Sequence, residues 1–380
     1  MNNKKFKEQL VLAKKQGLEL DTRIERRTVN GLPGMFATEH IPTNTLIAGY
    51  PYKSQIPLLT DFPYPDTASF TFKYIHAAAL ELTKGPASKH YDILMSLETM
   101  IELKDHCCYF YTDKDLQLIR KLNPILARNI DEANHKVKIR VDALKKLAPK
   151  LDENIIIRVI LNIFSRAYGG FGFAAVLDAF NHSDEKGNLV NGLSGEKEYI
   201  SIEAAQSYER GDQIFISYDT KDMYAHAISY NYFDPTGMHF IDYGARMIQT
   251  AASPIEKRTF QHTAKLYKVT VKEFGGVVQY SVKDQQLFML ETQPSEKLID
   301  FIRNNCFQSE QELSSGKCTE LSFENRLGKV IDEMLAANHV DEYKPSDVPK
   351  KLHRFYHLLH KEKQMLLANK EWLEGQKCKP

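Results

Sequence analysis

Residues 165–188 read SRAYGGFGFAAVLDAFNHSDEKGN, and residues 209–219 read ERGDQIFISYD. In the first stretch an apolar run ends at Asn181 and His182, where a polar loop containing a glycine begins. In the second stretch, β-forming residues predict a strand that leads to Tyr218. Polar side chains at such a boundary can lie half-buried and face a ligand. An Asn-His-Ser tripeptide by itself, however, is more typical of a simple turn.

On either side of these stretches the sequence alternates between helical and strand-like patterns. Residues 3–16 carry apolar residues at helical spacing, residues 28–55 form short strand-like runs broken by Gly and Pro, and residues 69–162 return to helical spacing. A β unit split by a helical insertion is the simplest account of this order. We predict five segments: 1–27, an N-terminal helix region; 28–68, the first part of a β domain; 69–162, a helical insertion; 163–243, the second part of the β domain; and 244–380, a helical C-terminal domain.

The composition argues against two classes of partner. Fifty Lys and Arg residues stand against 49 Asp and Glu residues, so the formal charge of +1 creates no global attraction for nucleic acid or an anionic membrane. The longest apolar stretch, ENIIIRVILNIF, is interrupted by Arg158 and is shorter than the roughly 20 residues that span a bilayer. The five cysteines form no CxxC pair, which favours a reducing, cytoplasmic location. We therefore expect a chain without nucleic-acid or membrane partners, and we expect it to be a monomer.

No metal site is predicted. His353, His357 and His360 recur at helical spacing, but no carboxylate or cysteine stands at a matching position to complete a set of ligands. The basic stretch 350–363 is interpreted as the solvated face of a helix.

The order of the motifs resembles that of the SET-domain methyltransferases. The glycine-containing turn NGLPGMFA at residues 30–37 comes first, then the helical insertion, then Asn-His-Ser, and finally RGDQIFISYD. The family is defined by an Asn-His-Ser motif and a later GE(E/Q)(L/V)xxxY motif, here with Asp212 in place of the first Glu. The resemblance is strongest to the branch of the Rubisco large-subunit methyltransferase and the actin-histidine methyltransferase, because Ser165 and Arg166 match its Ser-Arg motif and a helical lobe follows.

This resemblance implies an α+β fold, in which a SET β-fold is interrupted by a helical insertion and followed by an all-helical C-terminal lobe that binds the protein substrate. The implied activity is S-adenosylmethionine-dependent protein-lysine N-methylation, in the cytoplasm, or inside a host cell if the chain is a bacterial effector. Tyr218 is the expected catalytic residue, which orients the target amine, and Tyr168 lines the target pocket with it. The expected cofactor-binding residues are Gly31, Leu32, Pro33, Gly34, Arg166, Asp178, Asn181, His182, Tyr230 and Tyr232.

Two positions depart from the family pattern. Asn231 stands where the family has a flexible glycine, and Pro33 lies where a Glu-Gly-hydrophobic-Gly segment is common. The aromatic residues Tyr230, Tyr232 and Phe233 are expected to close the cofactor site, in place of the zinc-binding cysteine tail of other SET enzymes.

Three functional hypotheses remain. The first is a protein-lysine methyltransferase, which the aromatic side chain of Tyr168 favours because an aromatic wall suits a cationic head group. The second is a protein-histidine methyltransferase with an actin-like substrate. The third is a catalytically weak SET-like scaffold that binds a protein and transfers no methyl group.

Overall fold

The computed structural model describes most of the chain in two compact units. The first unit comprises Met1–Tyr111, Ile130–Thr220 and Ile228–Asn231, and the second comprises Thr112–Asn129, Lys221–Ala227 and Tyr232–Pro380. The described residues are 3–29, 32–168, 172–183, 186–191, 199–218, 222–233, 239, 241–242, 270–274, 277–281, 288–305, 310–315 and 320–377. Residues 112–129, which belong to the predicted helical insertion, therefore cluster with the second unit.

Helices form most of the described chain outside the β domain. They are α1 (Asn3–Lys15), α2 (Phe70–Lys84), α3 (Tyr91–Ser96), α4 (Met100–His106), α5 (Asp113–Leu122), α6 (Pro124–Leu147), α7 (Glu153–Arg166), α8 (Met223–Tyr230), α9 (Glu296–Asn305), α10 (Glu310–Ser315), α11 (Glu320–Ala337) and α12 (His353–Lys377).

The strands lie on both sides of the predicted helical insertion. They are β1 (Glu19–Leu20), β2 (Ile24–Val29), β3 (Leu32–Ala37), β4 (Leu46–Pro51), β5 (Ala167–Tyr168), β6 (Gly172–Phe173), β7 (Asn181–His182), β8 (Gly187–Asn188), β9 (Val190–Asn191), β10 (Tyr199–Glu203), β11 (Gln213–Ile216), β12 (Ile241–Asp242), β13 (Thr270–Phe274), β14 (Val277–Ser281) and β15 (Phe288–Met289).

Two sheets of the first unit join strands from before and after the insertion. One sheet has the order β1-β4-β10-β9, and the other has the order β2-β3-β11-β7, with β8 also paired to β11. Strands β3 and β4 precede the helices α2 to α7, whereas their partners β11 and β10 follow them. The predicted fold class, a β domain interrupted by helices and followed by a helical lobe, is confirmed.

Helix α7 determines where Arg166 lies. The side chain of Asp152 accepts hydrogen bonds from two main-chain N–H groups and caps the first turn. Apolar residues then recur every three or four positions, and Ile156 and Ile160 are fully buried where the helix packs against α2. The helix ends at Arg166, and the chain continues directly into β5.

A fully buried carboxylate joins three parts of the second unit. Glu362 on α12 accepts hydrogen bonds from the side-chain amides of Asn123 and Asn338, at 3.3 and 3.1 Å. The amide of Asn123 also donates to the hydroxyl of Tyr224 on α8, at 3.0 Å. A buried charge needs such partners, because an unsatisfied carboxylate in the interior is strongly destabilising.

One part of the C-terminal lobe differs from the prediction. Residues 270–281 were expected to be helical, but β13 and β14 form an antiparallel hairpin there, with Val271 opposite Tyr280. The β-branched and aromatic residues in this stretch favour strands. The sequence Gly275-Gly276 between them is also a common hairpin signal. Apart from this hairpin and the two-residue strand β15, the described elements after residue 243 are helices.

Three of the four lysines of the basic stretch 350–363 pair with carboxylates of the second unit. The pairs are Lys351 with Asp115 at 2.6 Å, Lys361 with Glu291 at 2.8 Å, and Lys363 with Asp341. No group of three His, Cys, Asp or Glu side chains in the described part of the chain is arranged to hold a metal ion. None of the helices that the structure describes is both long and apolar enough to cross a bilayer.

Candidate active site

The two sequence motifs meet through strand pairing. Strand β7 runs parallel to β11, with Asn181 opposite Phe215 and His182 opposite Ile216. Tyr218 follows β11 by two residues, and its main-chain N–H donates to Nδ1 of His182 at 3.1 Å. Nδ1 of His182 also lies 3.3 Å from the main-chain carbonyl of Ile216, so the ring is held against the main chain that leads from β11 to Tyr218. The rings of His182 and Tyr218 stack with centroids 4.9 Å apart.

The side chain of Tyr218 is fixed on two sides. Its hydroxyl donates to the main-chain carbonyl of Phe180 at 3.0 Å. The ring of Tyr230 lies 4.8 Å from its ring, and the hydroxyl of Tyr230 donates to the main-chain carbonyl of Tyr218 at 2.8 Å. A phenol that donates its proton to a carbonyl keeps oxygen lone pairs that can accept a hydrogen bond from another group. The arrangement therefore suits a tyrosine that orients an amine.

Asn181 connects β7 to the glycine-containing turn. Its side-chain amide donates to the main-chain carbonyl of Pro33 at 2.8 Å, a contact that needs no N–H from the proline. A Cβ atom on Gly34 would lie 2.4 Å from Nε2 of Gln213 and 3.1 Å from Nδ2 of Asn181. Glycine at this position therefore allows β3 to approach both side chains closely.

Arg166 lies between two carboxylates. Its Nη1 is 2.8 Å from Oδ2 of Asp178, and its Nη2 is 3.1 Å from Oε1 of Glu98. Burial by itself would lower the pKa of the Arg166 guanidinium, but the two carboxylates outweigh this effect and raise the pKa above its ordinary value. Arg166 is therefore cationic at any pH at which the protein is folded.

Asp178 lies in a short 3₁₀ turn, Leu177–Ala179. The residue before this turn, Val176, is fully buried and has a φ of 73°, which is unusual for a β-branched side chain. Strained backbone of this kind is concentrated at functional sites, because the surrounding packing must hold it in place. Here it accompanies the turn that brings Asp178 to Arg166.

Sequence reasoning missed Glu98. It lies in the helical insertion between α3 and α4, and its carboxylate also contacts Nε2 of His106 at 3.2 Å. Burial opposes its ionisation, but the hydrogen bond from His106 and the charge of Arg166 prevail and lower the pKa of Glu98 to about 2. No motif in the sequence marks a single glutamate between two helices, so only the fold reveals this contact.

Unsatisfied polar atoms indicate how a ligand fits this site. Nε of Arg166 and Oδ1 of Asp178 are buried and have no hydrogen-bond partner among the described residues. The first atom is a cationic donor, and the second is a carboxylate acceptor. A ligand that carries both a carboxylate and an ammonium group, such as the amino-acid end of S-adenosylmethionine, complements this pair, so the residues fit that cofactor.

Tyr168 lies on β5, opposite Gly172 of β6. Burial raises the pKa of its hydroxyl well above the value of a free phenol, and the charge of Asp178 acts in the same direction. The residue is half-buried. Its role as a target-pocket residue stays a prediction.

The remaining predicted site residues have different positions. Gly31 lies outside the described residues, and Leu32 is opposite Val29 in the β2-β3 hairpin. Tyr232 belongs to the second unit, and its side chain is 43 % exposed. Asn231 has a φ of 55°, the left-handed conformation that a glycine adopts most readily and that Asn tolerates better than most residues. The departure from the family pattern at Asn231 thus keeps a glycine-like backbone.

We predict that Gly172→Ala strongly destabilises the first unit. Gly172 has a φ of 89°, and a Cβ atom there would lie 2.2 Å from Cζ of Tyr74, whose hydroxyl accepts a hydrogen bond from the N–H of Phe173 at 2.9 Å. Strain and overlap together should lower the free energy of unfolding by about 3 kcal/mol. Denaturant unfolding measures this loss. Gly85→Ala is the matched control, because Gly85 has a φ of 53° but no atom within 4 Å of the added Cβ. An equal loss in both variants would contradict the overlap.

Comparison with known proteins agrees with this geometry. Residues 33–219 match the model of the SET domain family. The structure of the SET domain of LSMT bound to lysine and AdoHcy aligns with a TM-score of 0.63 at 15% sequence identity, covering 98% of this chain and 92% of that chain. Rubisco LSMT bound to sinefungin and monomethyllysine aligns with a TM-score of 0.63 at 13% identity, covering 99% and 93%. No curated protein sequence matches the chain.

The family model covers both motifs, the insertion between the two parts of the β domain, and the strands that bring Asn181, His182 and Tyr218 together. The structural similarity extends over nearly the whole chain, including its C-terminal helices. The prediction of a SET-domain methyltransferase that uses S-adenosylmethionine is confirmed, and residues 33–219 of the chain are a SET domain within a fold shared with the Rubisco LSMT structures.

Proposed function

We propose that the chain is an S-adenosylmethionine-dependent protein-lysine N-methyltransferase. The observation that carries this proposal is the fixed position of Tyr218, whose ring lies against both His182 and Tyr230 and whose hydroxyl is held by the carbonyl of Phe180. Two structures of similar fold contain lysine with AdoHcy and monomethyllysine with sinefungin, which supports the same substrate class.

Four residues would hold the cofactor in this proposal. Arg166 and Asp178 offer a buried donor and a buried acceptor to its amino-acid end. Asn181 and His182, on the strand beside β11, offer main-chain and side-chain groups. S-adenosylmethionine, when bound, supplies an electrophilic methyl group, and the protein contributes alignment of the two reactants.

The target amine must lose a proton before it can react. A lysine with an ordinary pKa of about 10.4 is neutral in only about one molecule in a thousand at pH 7.4. In this proposal the rings of Tyr168, Tyr218 and Tyr230 line the target site, and such desolvation lowers the pKa of an ammonium group. The oxygen of Tyr218 then accepts a hydrogen bond from the neutral amine and directs its lone pair.

Methyl transfer to cell lysate tests the proposed function. We expect wild-type protein, supplied with tritiated S-adenosylmethionine, to label a polypeptide at lysine, identified by mass spectrometry of the labelled peptide. Label on histidine would replace the lysine proposal with the histidine alternative. Absence of label together with absence of cofactor binding in calorimetry would favour the scaffold alternative. Protein incubated with unlabelled cofactor provides the background for the mass spectra.

We further propose that the polypeptide substrate binds through the C-terminal helical lobe and that the enzyme is a cytoplasmic monomer. Chemical cross-linking of the labelled substrate to the full chain, followed by peptide mapping, tests the first part. We expect cross-links within residues 244–380, and cross-links confined to residues before 112 would contradict it. Light scattering of the purified chain should give a mass near 43.7 kDa.

A further inference from the structure

We infer that Glu98, a residue of the helical insertion, positions Arg166 for cofactor binding and that His106 holds Glu98 in place. This inference rests on the proposed function of Arg166 as a cofactor ligand. Glu98 itself would touch neither the cofactor nor the target amine, so it is a positioning residue. Its effect should appear in the affinity for S-adenosylmethionine.

The main chain of Glu98 is attached to the same helix that carries Arg166. The side-chain oxygen of Asn162 accepts from the N–H of Glu98 at 2.8 Å, and Nε of Arg158 donates to the carbonyl of Glu98 at 2.7 Å. Arg158, Asn162 and Arg166 are four residues apart along α7, so they lie on one face of the helix. This face therefore fixes the backbone of Glu98 and receives its carboxylate.

The carboxylate is charged and is held from two sides. Oε1 of Glu98 lies 3.1 Å from Nη2 of Arg166 and 3.2 Å from Nε2 of His106. His106 is the last residue of α4, and a capping box between Thr99 and Glu102 begins that helix directly after Glu98. The insertion thus supplies both the glutamate and the group that orients it.

Arg166 needs this second carboxylate to have a fixed orientation. A guanidinium held only by Asp178 through Nη1 can still rotate about that contact, whereas a second contact through Nη2 fixes its plane. The donor at Nε is buried and without a partner among the described residues. Its direction is therefore determined by the two carboxylates together, and loss of Glu98 should misplace it.

Glu98→Gln tests the inference, because it keeps the shape of the side chain and removes its charge. We expect the dissociation constant and the KM for S-adenosylmethionine to rise about tenfold, a typical cost of one lost charge-assisted contact. The KM for the polypeptide substrate should stay within about twofold of wild type. Calorimetry gives the first value, and initial rates give the others.

Glu81→Gln is the matched control. Glu81 is a largely buried glutamate of the first unit, and it pairs with Lys84 at 2.6 Å and accepts from the hydroxyl of Ser88 at 2.7 Å, with no contact to Arg166. This variant should lose stability without loss of cofactor affinity. If Glu98→Gln lowers the melting temperature as Glu81→Gln does and leaves cofactor affinity unchanged, Glu98 has only a structural role and the inference is wrong.

A pair of substitutions at His106 provides a second test if Glu98→Gln folds poorly. His106 is at the protein surface, with 33 % of its side chain exposed, so changes there are tolerated more easily. His106→Leu removes the donor to Glu98 and should weaken cofactor binding, whereas the amide of His106→Gln can replace that donor and should restore it. Equal affinities in the two variants would overturn the role of His106. Failure of the wild-type protein to bind S-adenosylmethionine would instead reject the proposed function.

Discussion

Tyr218→Phe is expected to abolish most methyl transfer while cofactor affinity stays within about threefold of wild type. The phenylalanine ring can keep the stacking with His182 and Tyr230, and only the hydroxyl that contacts the carbonyl of Phe180 is lost. Removal of one preorganised polar group that acts on the reacting atoms typically lowers kcat by about 100-fold or more. Single-turnover rates at saturating substrate measure the effect on the reaction.

Tyr356→Phe provides a matched control for that experiment. The hydroxyl of Tyr356 also donates to a main-chain carbonyl, that of Tyr343, at 3.2 Å, and its side chain is likewise largely buried, but it belongs to the second unit. Both variants lose one tyrosine-to-carbonyl hydrogen bond, which contributes about 1 kcal/mol to stability. A parallel loss of cofactor affinity and rate in Tyr218→Phe would contradict a role confined to the reaction.

The parts of the site that lie within the two motifs could be predicted from the sequence. Asn181, His182 and Tyr218 stand at ends of strand-like runs, and parallel pairing of β7 with β11 brings those ends together. Arg166 was predicted from its match to the Ser-Arg motif of the family, and it lies at the end of α7, where β5 begins. Periodic patterns predict the helices and strands that carry these residues, whereas their roles were inferred from the resemblance to the family.

Glu98 and the C-terminal hairpin show what such patterns miss. Glu98 reaches Arg166 only because two residues of α7 hold its backbone, a contact between segments about 60 residues apart that no periodicity encodes. Strands β13 and β14 are short, and each contains charged or polar residues that also suit a helix, so the Gly-Gly pair between them was the better signal. Asn231 looked like a loss of the family's glycine, yet its backbone has a positive φ. The chemistry of a side chain does not reveal its backbone conformation.

Arg166→Gln should cause the largest loss of stability among single substitutions at the site. The change leaves the carboxylates of Glu98 and Asp178, whose side chains are 21 % and 6 % exposed, without their shared cation. Removal of one partner from a buried ion pair typically costs about 3–5 kcal/mol of unfolding free energy. Denaturant unfolding at pH 7 measures it. Arg23→Gln removes an arginine that pairs with one carboxylate, that of Asp21, instead of two, and it should cost less.

The loss caused by Arg166→Gln should also depend on pH. In the wild type the pKa of Glu98 is lowered from 4.5 to about 2, so its favourable contribution is complete above pH 4.5 and disappears as the pH falls toward 2. Without Arg166, Glu98 keeps the contact with His106 but loses one of the charges that lower its pKa. In the variant, protonation at low pH removes the charge of the unpaired carboxylates and so relieves their cost. In the wild type, the same protonation removes the favourable contribution of ionised Glu98. The stability difference between the two proteins should therefore narrow between pH 7 and pH 3, and a difference that is constant over this range would mean that Arg166 stabilises the fold through packing and not through its charge.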